Sequence, residues 1–365
     1  MRMNAWLLPV PFDTERDDWG ATLLAEWGAS VVTPGQQALV IGAGTGRIGL
    51  ALARAGAHVS FADDSIVALA AARQSFAQAK LPAQFFSTTD LTPSKPFDLV
   101  LINILWWSDN QRGAELINLA AQHTNAGGIV AIGGGKQAGL SGATTLLEQI
   151  VGPSVKTLYK KGHHVVMAFR PLHWQAQPSQ TTQHQLSHGD HALTIEATAG
   201  VFAQGQLDPA SAMLLDAVHI QANQRVLDLG CGAGILGMFL QQRESTLALT
   251  YIDSTMVAIE ATKRNLQTNQ LTGRVLASDG IQAVNGEQFD LVVSNPPFHV
   301  GRVQSPQLAE NLLKQAVQVL APNGQLVIVA NRFLRYEPLL ETVLSNVHEL
   351  AGDQRYKVLV GTKAN

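Results

Sequence analysis

Short apolar runs recur along the chain, and longer stretches rich in alanine and leucine alternate with them. Ala38-Leu39-Val40-Ile41, Phe97-Asp98-Leu99-Val100-Leu101-Ile102, Val226-Leu227-Asp228-Leu229 and Phe289-Asp290-Leu291-Val292-Val293 are of the first kind, and residues 65–79 and 254–267 are of the second. A near-continuous apolar run bounded by turn residues suits a strand covered on both faces. The longer stretches read as helices, and the alternation is the βαβ rhythm of a doubly wound, mostly parallel sheet.

The rhythm occurs twice. Residues 38–49 lie over 226–237 without a gap, setting Gly42 on Gly230, Gly44 on Gly232, Gly46 on Gly234 and Gly49 on Gly237. Further on, Asp63 falls on Asp253 and Asn103 on Asn295, so the offset changes only from 188 to 190 to 192 residues. A nearly constant offset over three landmarks predicts a duplicated α/β domain. The expected layout is residues 1–172, a polar linker over 173–193, and residues 194–365. His184, His188 and His191 fall in that linker, but no cysteine or spaced carboxylate set completes a metal site with them. No metal is expected.

Behind the strand ending at Ser294 come Asn295, Pro296, Pro297 and Phe298. In an open α/β sheet, ligands bind outside the carboxyl ends of the strands. An asparagine side-chain oxygen and the carbonyl of Pro296 can accept the two hydrogens of a planar amino group and turn its lone pair toward a methyl donor. The prolines stiffen the loop, and Phe298 offers a face for a base. The glycine turn at Gly230, Gly232 and Gly234 lets backbone approach a ligand closely. Its spacing departs from the dinucleotide fingerprint, whose third glycine would fall at Ile235. Asp253, 19 residues after Gly234 and followed by Ser254, stands where a ribose is held. Asp228 before the loop can take an ammonium group, and Asp279 can take an adenine amino group. Three acids at these stations favour S-adenosylmethionine over NAD.

Composition changes this picture little. Of 365 residues 46% are hydrophobic, yet no run approaches the roughly 18 apolar residues of a membrane span. The first residues are too short in their apolar part for a signal peptide, so a cytoplasmic protein, with no membrane partner, is expected. Cys231, the one cysteine, sits between loop glycines and reads as a small backbone residue. The net charge of −3 is not that of a protein gripping nucleic acid by bulk electrostatics. Residues 1–170 nevertheless hold 13 basic against 12 acidic residues, and residues 171–365 hold 12 against 16. Lys156, Lys160 and Lys161, with Tyr159, His163 and His164, form a local basic cluster that can contact RNA phosphates.

On these motifs the second half resembles class I S-adenosylmethionine-dependent methyltransferases of the methyltransferase small domain group. It resembles most the bacterial ribosomal RNA guanine-N2 methyltransferases, of the small subunit methyltransferase C and large subunit methyltransferase G type. Gly200-Val201-Phe202, Leu207-Asp208, Ala330-Asn331-Arg332-Phe333-Leu334 and Arg355-Tyr356-Lys357-Val358 share in the resemblance. It implies two tandem Rossmann-like domains, the first a degenerate copy. It further implies that Asn295 and Pro296 hold a guanine amine, that Phe298 stacks on the flipped base, and that Asp228, Gly230, Gly232, Asp253 and Asp279 bind cofactor, with Phe202 bordering the pocket. The partner implied is ribosomal RNA or an assembling subunit, met by a monomer. The first half has Val40 in place of Asp228 and Ile104-Leu105-Trp106 in place of Pro296-Pro297-Phe298, so it is not expected to catalyse. Two rival readings stay open: a glutamine methyltransferase acting on a protein, and an RNA-binding or chaperone-like protein without catalysis.

Overall fold

The computed structural model describes residues 18–178, 182–202, 205–296, 299–300, 303–304 and 306–365. Helix α1 (Trp19–Val31) leads into β1 (Gln37–Ile41), α2 (Arg47–Arg54), β2 (His58–Asp63), α3 (Ile66–Ala79) and β3 (Gln84–Ser87). There follow β4 (Phe97–Asn103), α4 (Asn110–His123), β5 (Thr124–Gly135), α5 (Leu140–Ile150), β6 (Ser154–Lys160) and β7 (His163–Phe169). These strands form one seven-stranded sheet in the order β3-β2-β1-β4-β5-β7-β6. Only β7 runs antiparallel to its neighbours.

The chain then makes β8 (Thr182–His188), β9 (His191–Ala197), α6 (Pro209–Ala217), β10 (Arg225–Leu229), α7 (Ile235–Arg243), β11 (Ala248–Asp253), α8 (Met256–Thr268), β12 (Arg274–Ala277) and β13 (Phe289–Ser294). After the two-residue strands β14 (His299–Val300) and β15 (Val303–Gln304) come α9 (Pro306–Ala316), β16 (Leu320–Asn331), α10 (Glu337–Glu341), β17 (Ser345–Gly352) and β18 (Tyr356–Thr362). The second sheet is ordered β12-β11-β10-β13-β16-β18-β17, the first order repeated strand for strand. Here too the one reversed strand is next to last, with β18 antiparallel to β16 and β17. Two compact units result, the first built around β1–β7 and the second around β10–β13 and β16–β18.

Each sheet is buried on both faces, which is why its strands read as unbroken apolar runs. Successive side chains alternate between two cores. In the second unit, Val226, Leu249, Tyr251 and Leu291 pack on one face, and Leu227, Leu229, Ile252 and Val292 on the other. Asp228 falls on the face of Val226, under α7.

The linker expected over 173–193 is corrected by this structure. Residues 182–197 form an antiparallel hairpin in register from Thr182–Ala197 to His188–His191. Its Leu186, Leu193 and Ile195 are buried in the core of the second unit. Side chains from α8 and just beyond it hold β9. Asn269 Oδ1 accepts from the Thr194 N–H at 2.8 Å, Asn265 Oδ1 accepts from the Glu196 N–H at 2.9 Å, and Asn269 Nδ2 donates to the Thr194 carbonyl at 2.8 Å. Gln183 and Gln185 lie on the outward face, whereas His184, His188 and His191 share the inward face with Leu186, Leu193 and Ile195 and are half-buried beside them. Leu193→Ala should therefore cost the second unit about 2–5 kcal/mol, as buried leucine truncations do. Chemical denaturation measures this, and a passive linker would show no loss.

Candidate functional site

At the carboxyl end of β10 the chain turns through Gly230, Gly232 and Gly234, with φ of 73°, 55° and 79°. Side chains rarely adopt these angles, so glycine is required for the turn itself. The Gly230 and Cys231 amides donate to the Ile252 carbonyl at 2.9 and 3.0 Å, which pins the loop to the end of β11. Among the described residues, a Cβ on Gly232 would meet only Val201, at 3.9 Å, so the loop presents bare backbone toward them at that point. Phe202 follows Val201 and is 63% exposed.

Asp253 ends β11. One carboxylate oxygen accepts from the Gly232 N–H at 3.1 Å, and the other accepts from the Thr255 N–H and hydroxyl at 2.9 and 2.8 Å. Ser254 lies partly exposed beside it. Asp279, just beyond β12, is buried. Its Oδ2 accepts weakly from Gln282 at 3.3 Å, and its Oδ1 has no partner among the described residues.

Asp228 sits deeper than a surface ligand-binding acid would, at 1% exposure. Its Oδ2 accepts from the Gly237 N–H at 3.0 Å. That amide belongs to the first turn of α7, whose N-cap Gly234 has no side chain to cap it, so Asp228 does the capping from below. Its Oδ1 is buried and unpartnered among the described residues. Burial pushes the Asp228 carboxyl up to about 7, with the nearby Asp253 adding to the rise and the Gly237 bond opposing it. Burial likewise raises Asp253 and Asp279. None of the three pairs with a lysine or arginine among the described residues. They form a desolvated acidic bowl that suits a ligand bringing ammonium, hydroxyl and amino donors.

Asn295 stands one strand over, at the carboxyl end of β13. Its Nδ2 donates to Asp208 Oδ2 at 3.2 Å and to Ser211 Oγ at 3.1 Å, and Asp208 is itself the N-cap of α6. No partner of Asn295 Oδ1 or of the Pro296 carbonyl is found among the described residues. Ser294 Oγ donates to the Leu229 carbonyl at 2.7 Å and ties this strand end to the glycine loop. Pro297 and Phe298 lie outside the described residues.

The first unit carries the same stations in altered form. Asp63 accepts from the Ala43 and Ser65 amides at 2.6 and 2.8 Å. Burial raises its carboxyl to about 6, and neighbouring Asp64 adds to the rise. Val40 fills the position of Asp228 and is fully buried. The Arg112 guanidinium, 8% exposed, bridges the ends of β2 and β3 by pairing with Asp64 and donating to Thr88 at 2.7 Å. Asp64 and Thr88, the two residues it joins, stand at the positions of Ser254 and Ser278 in the second unit. Asn103 Nδ2 donates to Asp18 Oδ2 at 2.8 Å, repeating the Asp208 contact 190 positions earlier. Asp18 and Asp208 escaped the sequence reading as a pair, although their offset equals that of Asp63 and Asp253.

Lys160, at the end of β6, lies 3.5 Å from Glu26 Oε1, and Lys161, in the turn that follows, sits 3.9 Å over the Trp19 ring. Lys156 has no partner among the described residues. Tyr159 is 64% exposed and its ring lies 4.6 Å from that of His164. No group of three His, Cys, Asp or Glu gathers into a metal site among the described residues, and no helix is long and apolar enough to cross a membrane.

A model of the methyltransferase small domain matches residues 5–168 and again 192–360. The chain belongs to this family. Among its relatives, ribosomal RNA small subunit methyltransferase C of Pseudomonas entomophila is 34% identical over 74% of this chain and 81% of its own length. The enzyme of the same name from Aeromonas hydrophila is 35% identical over 64% of this chain and 68% of its own. The fold of this small-domain methyltransferase matches the solved structure of T. thermophilus 16S rRNA N2 G1207 methyltransferase (RsmC) in complex with AdoMet and guanosine. That match has a TM-score of 0.80 at 25% identity and covers 93% of this chain and 92% of the other.

The raised Asp228 carboxyl makes a prediction about the methyltransferase without ligand. A carboxyl near 3.8 when unfolded and about 7 when folded binds its proton more tightly in the native state, so stability falls as pH rises from about 4 to about 7. Asp228→Asn should remove on the order of 2–4 kcal/mol of that fall. Urea titrations of wild type and variant at pH 5 and pH 8 measure it. Parallel profiles would mean that Asp228 is not held protonated.

Proposed function

We infer that this protein transfers a methyl group from S-adenosylmethionine to the exocyclic N2 amine of a guanine in 16S ribosomal RNA. The observation that carries this reading is Asn295. Its amide nitrogen is spent within the protein while its oxygen and the Pro296 carbonyl are unspent among the described residues, beside an acidic bowl with no internal cation.

The bowl fits the cofactor. The unmet Oδ1 of Asp228 offers an acceptor toward an ammonium group, directly or through water. Asp253 with Ser254 stands where a ribose is held, and the unmet Oδ1 of Asp279 suits an adenine amino group. Gly230, Gly232 and Gly234 allow close backbone approach, and Phe202 borders the opening. When bound, S-adenosylmethionine supplies an electrophilic methyl carbon on a sulfonium sulfur.

The protein's part is to prepare the amine. A guanine N2 lone pair is delocalised into the ring. Asn295 Oδ1 and the Pro296 carbonyl accept the two N2 hydrogens and rotate that lone pair out of conjugation. The new N–C bond forms as the C–S bond breaks, and the proton released from N2 passes to solvent. Phe298 stacks on the base. A guanine N2 is normally engaged in pairing, so the base is flipped from accessible RNA or a partly assembled subunit. The first unit contributes phosphate contacts through Lys156, Lys160 and Lys161.

Two outcomes test this reading. With labelled S-adenosylmethionine and undermethylated 30S subunits or 16S RNA, digestion should yield N2-methylguanosine. Asn295→Ala should lower the rate by roughly 100-fold or more with cofactor affinity intact, the size seen for loss of one preorganised donor or acceptor. Label on a protein glutamine, or on no substrate, would overturn it. Separately, changing Lys156, Lys160 and Lys161 together to glutamate should weaken RNA binding and flatten its salt dependence, with a slope change of up to about three. Unchanged RNA affinity would remove these lysines from the interface.

A further inference from the structure

We propose that Asp208 and Ser211 are positioning residues for methyl transfer, which by accepting both Nδ2 hydrogens of Asn295 hold its amide oxygen toward the target amine and strengthen it as an acceptor. This rests on the methyl-transfer reading. A carboxamide has a donor end and an acceptor end of nearly equal size, and only hydrogen bonds decide which faces a ligand. With the donor end outward, Asn295 would oppose the guanine amine donor to donor. The 3.2 Å bond to Asp208 Oδ2 opposes that orientation, because a flipped amide would set oxygen against oxygen, and Ser211 Oγ takes the second hydrogen at 3.1 Å. An ionised carboxylate accepts only, so the bond cannot be reversed by flipping the amide. The carboxylate also polarises the amide, pushing electron density onto Oδ1 as positive charge grows on the attacking N2.

The duplicate shows what the active copy keeps. In the first unit Asp18 takes the Asn103 Nδ2 at 2.8 Å and caps α1 through the Ala21 N–H at 2.9 Å, as Asp208 caps α6 through the Ser211 N–H at 3.0 Å. The carboxylate clamp is therefore common to both copies. Two features differ. Ser211, whose hydroxyl takes the second amide hydrogen, is Ala21 in the first copy. Asn103 Oδ1 is consumed by the Leu105 N–H at 3.2 Å, two residues on. The matching position after Asn295 is Pro297, whose ring nitrogen has no hydrogen to donate. The same clamp thus serves a spent oxygen in one copy and a spared one in the other.

If Asp208 only capped α6, its bond to the Ser211 amide would suffice. Asparagine and serine cap helices about as well as aspartate, so Asp208→Asn and Asp208→Ser separate the two roles. Both variants should keep the wild-type melting temperature, cofactor Kd and KM for RNA, while kcat falls roughly 10- to 100-fold. Ser211→Ala should give a smaller fall, and Ser211→Thr should restore it. An unchanged kcat in Asp208→Asn, or a fall no larger than a measured loss of folded protein, would overturn the proposal. A second readout needs no substrate. In protein labelled with 15N-asparagine, the Asn295 side-chain amide, assigned by its loss in Asn295→Ala, should show two slowly exchanging protons. That protection should vanish in a double Asp208→Ser, Ser211→Ala variant. Fast exchange in the wild type would defeat the clamp. Slow exchange together with no methylation of any RNA would leave the clamp standing as structure, defeat its catalytic role and defeat the proposed function.

Discussion

The parallel pairing of β10 with β11 on one side and β13 on the other is the constraint on which the site depends. Leu229 lies opposite Ile252, and Asp228 lies opposite Val293. Because these strands point the same way, their carboxyl ends open at one edge of the sheet, and residues distant in sequence meet there. The glycine loop, Asp253 and Asn295 all follow from that registration. Two hydrogen bonds lock the edge, from Gly232 to Asp253 and from Ser294 to the Leu229 carbonyl. A slip of one residue would move every side chain of a strand from one core to the other.

The duplicated unit shows how little separates a site from its remnant. Both copies share strand order, the glycine turn, the acid that grips it and the aspartate that clamps an asparagine. In the first copy the grip is closed by internal partners. Arg112 neutralises Asp64 and reaches Thr88, Val40 replaces the buried acid, and an N–H takes the Asn103 oxygen. In the second copy the carboxylates have no cation and the asparagine oxygen no internal donor among the described residues. Keeping desolvated acids without a neighbouring cation costs stability, as the upward displacement of Asp228, Asp253 and Asp279 by burial indicates. A ligand with complementary donors offsets that cost.

Much of this was legible in the residues. Unbroken apolar runs announce strands buried on both faces, and the offsets of 188, 190 and 192 announce the duplication. The stations of Asp228, Asp253, Asp279 and Asn295 were also readable, because turn glycines and strand ends mark where a parallel sheet opens. The hairpin over 182–197 was not legible. Its inward face carries only three buried apolar residues, Leu186, Leu193 and Ile195, among histidines, and asparagine side chains of α8 and beyond supply partners that a composition-based reading cannot see.

The sequence by itself determined the fold class, the repeat and the chemical kinds of residue available, since those depend on local periodicity and on covalent facts such as the missing N–H of proline. Tertiary structure alone decided how each group is used. It sank Asp228 beneath α7 with one oxygen engaged, and it turned the Asn295 amide by joining it to Asp208 across 87 residues of chain. It also buried Arg112 against Asp64 and Thr88 at the strand ends of the first unit. Hydrogen-bond direction and desolvation belong to neighbours in space, and a linear pattern names candidates without saying which neighbour each will meet.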